Sequence, residues 1–158
     1  MRLLKGLALA SVFGAWAVIV IGGYVSHTES GLGCPELIAC GSSSDPHAAA
    51  IETAHRVAAW IEGFLVLALL VLVWWRHRRW TRVRDLTMLG FELVVLQAAL
   101  GIVAVATELN AFVVTAHLGV ATAFLAVTVL NAAAVFRGGP PVVAPTARVA
   151  SERAVDAR

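Results

Sequence analysis

Four long apolar stretches constrain this chain more than any other feature of its sequence. They cover about residues 7 to 25, 54 to 75, 87 to 106 and 112 to 136. Each has roughly 20 residues or more, the length that a helix needs to cross about 30 Å of hydrocarbon. With 59% hydrophobic and 14% charged residues, the chain is too apolar for an ordinary soluble domain. The sequence therefore predicts an all-α polytopic membrane protein, folded as an antiparallel four-transmembrane-helix bundle.

The basic residues predict the orientation of this bundle. Of the 12 Lys and Arg residues, 11 precede the first stretch, lie between the second and third, or follow the fourth. By the positive-inside rule both termini are cytoplasmic and the protein lies in the cell (plasma) membrane. The arginines flanked by Trp74, Trp75 and Trp80 suit lipid headgroups, so no nucleic-acid partner is expected. Residues 1–137 form the predicted membrane domain, and the proline-containing segment 138–158 is predicted to be a disordered cytoplasmic tail.

One extracytoplasmic loop of substance is predicted at residues 26–53, and it contains both cysteines. Cys34 and Cys40 lie on the side of the membrane where thiols tend to be oxidised, which favours a disulfide. Free thiols are one alternative. A zinc site that adds His27 and His47 is another, although the five-residue spacer between the cysteines is wider than usual.

Two histidines are predicted to lie at the same depth. Counting at 1.5 Å per residue, His55 lies about 30 Å from Trp75, and His117 lies about 28 Å from Phe136. The second and fourth stretches run in the same direction, so both imidazoles can face the bundle interior near its outer boundary. Opposed imidazoles are the ligands of a six-coordinate haem iron. Structural or proton-carrying histidines are the alternative.

Small residues near the two histidines leave room for a flat macrocycle. Ala58, Ala59 and Gly63 follow on the second stretch, and Ala121 follows on the fourth. Arg56 is a candidate partner for a haem propionate, because a guanidinium pairs with a carboxylate through two parallel hydrogen bonds. A snorkelling contact with lipid headgroups is the other interpretation of Arg56.

Several carboxyl groups accompany the histidines. Glu52 precedes His55 by three residues, so it lies on the same helical face, about one turn above the predicted metal site. There it can accept a proton, orient a water molecule or stabilise positive charge. The alternative is an N-cap or first-turn acid. Glu62, Glu92 and Gln97 are expected to be neutral and hydrogen-bonded within the membrane.

Three segments together resemble the haem A synthase family of cytochrome oxidase biogenesis, in its amino-terminal half. They read GGYVSHTESGLGCPELIAC, IETAHR and LQAALGIVAVATELNAFVVTAHLGVA, and the resemblance runs in order over residues ~12 to 130. It implies oxidation of the C8 methyl of haem O to a formyl group, through a hydroxylated intermediate. The implied cofactors are haem B, substrate haem O, or both, with their iron.

The resemblance also implies roles for individual residues. His55 and His117 would be the axial ligands, Glu52 the catalytic carboxylate, and Cys34 with Cys40 the disulfide pair. The implied partners are haem O, the lipid bilayer, further copies in a homo-oligomer, and a haem O synthase.

The chain departs from the family pattern, and other functions fit parts of it. Usual members have eight spans in two similar halves, each with its own histidine pair, whereas this chain has one pair. Either associated copies hold different haems, or one site serves both needs in turn. One alternative function is a bis-histidine membrane cytochrome b that only transfers electrons. Another is a quinone-linked thiol oxidoreductase, which would usually carry a closer cysteine pair.

Overall fold

The computed structural model describes residues 1–34 and 45–138, and within them it is helical, without strands. Four long helices are each long and apolar enough to cross a membrane, which confirms the predicted all-α fold class. A short 3-10 turn, Ser30–Leu32, follows the first of them. The long helices are α1 (Arg2–His27), α2 (Pro46–Arg76), α3 (Thr81–Ala106) and α4 (Ala111–Arg137).

Helix α2 begins eight residues before the predicted boundary at residue 54. Asp45 is its N-cap, and the Asp45 side chain accepts hydrogen bonds from the backbone N–H groups of His47 (2.9 Å) and Ala48 (3.2 Å). Pro46 occupies the first helical turn, where its missing N–H removes no helical bond. Counting apolar residues overlooked this Asp-Pro start signal. The predicted tail 138–158 lies outside the described residues apart from its first residue.

The four long helices pack as a closed ring. Each contacts the next along the chain, and α1 also contacts α4, so α2 and α4 occupy diagonally opposite corners. The amino terminus lies beside the α2–α3 link. Its ammonium group is close enough to His77 to lower the pKa of that residue, after the larger effect of partial burial and before that of Arg76. We call this the basal end of the bundle. The opposite end, which carries Ser30–Leu32, is the apical end.

Two apolar clusters fill the bundle. The basal cluster closes the basal end and consists of Leu4, Ala8, Leu69, Val73, Val83, Ala132, Ala134 and Val135. The middle cluster is Ala15, Val66 and Phe124. Because the outer faces of such helices contact lipid, interior packing and polar contacts hold the helices together.

Close backbone contacts hold the apical turn on the bundle. Gly33 lies against the backbone of Ala48 and Ala49, where an added Cβ would come within 2.6 to 2.9 Å of backbone atoms. Gly31 is buried beneath the side chain of Leu109, a residue of the α3–α4 link. Cδ1 of Leu109 would lie 3.0 Å from a Cβ at position 31. The chain entering Cys34 is therefore fixed against the first turns of α2.

Replacing Gly33 with Ala should destabilise the apical end, because backbone atoms of α2 cannot move aside as a side chain would. We expect the free energy of unfolding to fall by about 1–3 kcal/mol, as for other overpacked sites. Thermal unfolding of the detergent-solubilised protein would measure this. Gly23→Ala is the matched control, since a Cβ at that position meets nothing within 4 Å. Equal melting temperatures for the two variants would contradict the contact.

Candidate functional site

The structure brings the two predicted ligand histidines together across the bundle. His55 lies nine residues into α2 and His117 six residues into α4, so they stand on diagonally opposite helices. Both are half-buried, and they are close enough for the charge of one ring to act on the other. This is the arrangement that the depth count predicted, while their role as ligands stays a prediction.

Each imidazole packs against a glycine of a neighbouring helix, which is α1 for His55 and α3 for His117. A Cβ at Gly22 of α1 would lie 2.9 Å from Cε1 of His55, and one at Gly101 of α3 would lie 3.7 Å from Cε1 of His117. Gly22 can hardly accept a larger residue without moving the ring. All four long helices thus contribute to the region around the ring pair, and these glycines had not been singled out from the sequence.

The ring nitrogens suit a metal-bound macrocycle. Nδ1 of both His55 and His117 is buried and makes no hydrogen bond of normal geometry within residues 1–34 and 45–138, although the Val18 carbonyl lies beside His55. The same residues contain no group of three or more His, Cys, Asp or Glu side chains that could hold a metal ion. Haem iron needs only two protein ligands, so this pair of imidazoles fits a haem.

Gln97 holds the backbone of α4 at the level of the site. Its Nε2 donates a hydrogen bond of 2.9 Å to the carbonyl oxygen of His117. This bond ties α3 to α4 beside the imidazole. The sequence indicated that Gln97 would be hydrogen-bonded in the membrane, but gave no partner for it.

Glu52 joins the apical turn to α2. Its side chain is 3% exposed, and Oε2 accepts a 2.7 Å hydrogen bond from the backbone N–H of Cys34. Oε1 accepts from Nη2 of Arg56, which also donates 3.0 Å to the Cys34 carbonyl oxygen. We call Glu52, Arg56 and Cys34 the apical clasp. Because Asp45 is the N-cap and no acid lies in the first turn of α2, the helix-start interpretation of Glu52 is wrong.

The contacts within the clasp bear on the roles predicted for Arg56 and Cys34. Arg56 bonds to the protein in this structure, and its contact with a propionate stays a prediction. Cys34 is fully buried, whereas its predicted disulfide partner Cys40 lies outside the described residues, so their pairing also stays a prediction. His27 and His47 are exposed.

Glu62 is buried deeper in the bundle. It is 3% exposed, and neither carboxyl oxygen makes a hydrogen bond of normal geometry to another described residue. The hydroxyl of Ser11 faces it, and Gly14 provides the space for Oε2, since a Cβ there would overlap that oxygen. Ser11 is the polar side chain placed to bond Glu62, so the expectation that Glu62 is hydrogen-bonded stays a prediction.

Comparison with known proteins identifies the family of this chain. Residues 42–156 match the model of the cytochrome oxidase assembly protein family COX15-CtaA. The chain is similar to Heme A synthase of Lysinibacillus sphaericus, with 30% identity over 85% of this chain and 46% of the relative. It is also similar to Heme A synthase of Bacillus pumilus, with 33% identity over 84% of this chain and 45% of the relative.

The chain thus spans about half the length of the curated relatives that it matches. The family match covers more than half of this chain and includes His55, His117 and Glu52. The resemblance found in the sequence is confirmed, and the protein belongs to the haem A synthase family of cytochrome oxidase assembly proteins.

Proposed function

We propose that this protein is a membrane-bound haem A synthase, which oxidises the C8 methyl of haem O to a formyl group. The observation that carries the proposal is the pair of imidazoles on diagonally opposite helices, each packed on a glycine of a neighbouring helix. The relatives named Heme A synthase support the reaction class. When bound, the haem supplies the iron that both imidazoles ligate and, as substrate, the methyl group to be oxidised.

The first role proposed for the protein's own residues is to position the haem. His55 and His117 hold the macrocycle from opposite corners of the bundle, and Gly22 and Gly101 leave the rings room at close packing distance. Gln97 fixes the backbone beside His117. Positioning of this kind lowers a barrier because the reacting group no longer has to find its orientation.

Glu52 is the proposed catalytic carboxylate. It lies one turn above His55, and its oxygens face Cys34 and Arg56 in the apical clasp. A carboxylate has about four lone-pair sites, so it can accept a further hydrogen bond from a water molecule while it keeps both clasp contacts. Each oxidation step removes two electrons and a proton from the substrate carbon, and the electrons pass to an external electron acceptor. Glu52 would then orient the water that adds to this carbon, stabilise the positive charge on it and accept the proton that the water releases.

The proposed orientation places both termini in the cytoplasm and the histidine pair near the outer surface of the cell membrane. It is supported by the basic residues of the basal end, where the amino terminus and the α2–α3 link meet. In this orientation the clasp faces the compartment in which Cys34 and Cys40 would be oxidised.

Association of copies is proposed from the position of Glu92. This carboxyl lies eleven residues into α3, about 16 Å along the helix, and it is exposed on the outer face between Leu89 and Leu96. It has no hydrogen bond or ion pair within the described part of the chain. A carboxyl facing hydrocarbon at mid-depth is costly, and a second copy presenting the same face covers it. A haem O synthase is a further proposed partner, as the source of the substrate.

Two other functions are less well supported. A cytochrome b would use the same histidines, but the family relatives and the buried carboxylate beside His55 favour an enzyme. A thiol oxidoreductase needs an accessible thiol, whereas Cys34 is 0% exposed and lies against the Ala49 carbonyl and the Thr53 hydroxyl.

His55→Ala and His117→Ala should each lower haem affinity by about tenfold or more, equivalent to about 1.4 kcal/mol, because one of two iron ligands is lost. The haem-to-protein ratio of purified protein, measured by absorbance, checks this. His27→Ala is the control, since His27 is exposed on the apical side. Full haem content in both ligand variants would rule out the proposed site.

Glu52→Gln should keep bound haem but lower formyl production by about a hundredfold, because the amide still accepts from Cys34 N–H but carries no charge. Mass spectrometry of extracted pigment, after co-expression with a source of haem O, would detect haem A and the hydroxylated intermediate. Arg56→Gln is the matched control, which weakens the clasp and leaves the carboxylate in place. Haem B alone from the unmodified protein would instead establish a cytochrome b.

Glu92→Leu should shift the protein from a dimer toward the monomer if a carboxyl pair holds copies together. Sedimentation in detergent would give the mass of each form. Leu96→Ala is the control, on the same face one turn away. A monomeric parent protein, or an unchanged mass for Glu92→Leu, would contradict association through this face.

A further inference from the structure

A small polar cavity lies among the four long helices, on top of the basal cluster. Four polar side chains line it, together with the open space at Gly90; they are Ser11, Thr87, Thr128 and Asn131. The cavity has room for one buried water molecule. Although the other five lining residues are apolar, the four polar side chains offer enough hydrogen-bonding groups for one water molecule.

The polar atoms around the cavity are only partly satisfied. The hydroxyls of Thr87 and Thr128 donate to backbone carbonyls of their own helices, and Nδ2 of Asn131 donates 3.0 Å to Oγ1 of Thr87. Oγ of Ser11 and Oδ1 of Asn131 have no partner among the residues that the structure describes, although these side chains are 1% and 4% exposed. Leaving such atoms unpaired is unfavourable, so two more hydrogen bonds are required here.

Glu62 lies on the apical side of the polar side chains that line the cavity. Ser11 faces both the cavity and the Glu62 carboxyl, which lies one turn above the cavity residue Val66 on α2. Gly14, one turn above Ser11 on α1, leaves room for the carboxyl oxygen. Glu62, Ser11 and the cavity therefore form one continuous polar path through an apolar interior.

The surroundings of Glu62 favour a bound proton. Both of its oxygens are buried, and no cationic side chain pairs with it within residues 1–34 and 45–138. An unpaired carboxylate in a medium of low dielectric constant is very unfavourable, whereas a neutral carboxyl donates one hydrogen bond and accepts others. The function proposed above makes no use of this group.

We propose that a water molecule binds in the cavity and joins Ser11, Asn131 and the protonated Glu62 in one hydrogen-bonded network, which stores and exchanges a proton inside the bundle. The basal cluster closes the network on one side. His55 precedes Glu62 by seven residues on the same face of α2, about 10 Å along the helix on the apical side of the network. Its use in catalysis rests on the proposed function, because conversion of a methyl to a formyl group releases protons.

Infrared spectroscopy of the purified full-length protein tests the network directly. The C=O stretch of protonated Glu62, identified as the component of the carboxyl absorption that Glu62→Gln removes and Glu92→Leu leaves, should be present and should respond to transfer into D2O. Ser11→Ala should move this band to higher wavenumber, because the carboxyl loses its hydrogen-bond partner. Ser26→Ala is the matched control on the same helix, since Ser26 is exposed.

Gly90→Ala tests the water without removing a polar group. A methyl at position 90 meets Val127 and Phe124 at 3.8 and 4.0 Å, so the helices need not move, but the cavity becomes smaller. Displacement of the water should shift the Glu62 band in this variant as well. A missing band in the parent protein, or a band that ignores both Ser11→Ala and Gly90→Ala, would overturn the proposal.

Extracted pigment separates this proposal from the proposed function. If the band behaves as expected while only haem B is extracted, the proton site stands and haem A synthesis does not. If haem A forms while the band is absent, the synthase stands and the network is wrong.

Discussion

Polar groups inside these helices have no solvent to bond to, and this constraint explains where the structure places them. Hydrocarbon offers neither donors nor acceptors, so each buried carboxyl, amide or imidazole needs a protein partner, a water molecule or a ligand. Glu52 and Gln97 have protein partners. The Nδ1 atoms of His55 and His117 make no hydrogen bond of normal geometry among the described residues, and we propose that haem binds between these two rings.

The apical clasp connects Cys34, at the end of the apical turn, to the part of α2 that carries His55. Glu52 precedes His55 by one turn and receives the backbone N–H of Cys34, eighteen residues earlier in the chain. Arg56 follows His55 directly and bonds to the Cys34 carbonyl oxygen. A displacement of Cys34 therefore acts on the two residues that flank the imidazole, which gives the E-x-x-H-R spacing a structural reason in addition to a chemical one.

Features that repeat along the chain were predictable from the sequence, and features that depend on contacts between distant segments were not. The four helices and the common depth of His55 and His117 follow from apolar length and from a fixed rise per residue. The clasp and the glycine packing at Gly22 and Gly101 join separate elements, so no local pattern reports them. The start of α2 at Pro46 was readable but was missed, because the alanines after it are weakly apolar.

The diagonal arrangement of α2 and α4 has a consequence for the folding of the protein. Those two corners do not pack directly on one another, so a haem held by both imidazoles, as we propose, would supply a cross-link between them. The remaining corners touch the same rings through Gly22 and Gly101, so this cross-link reaches every helix. Haem bound as we propose would add to the free energy of unfolding by mass action, so the amount of intact protein would follow the haem supply.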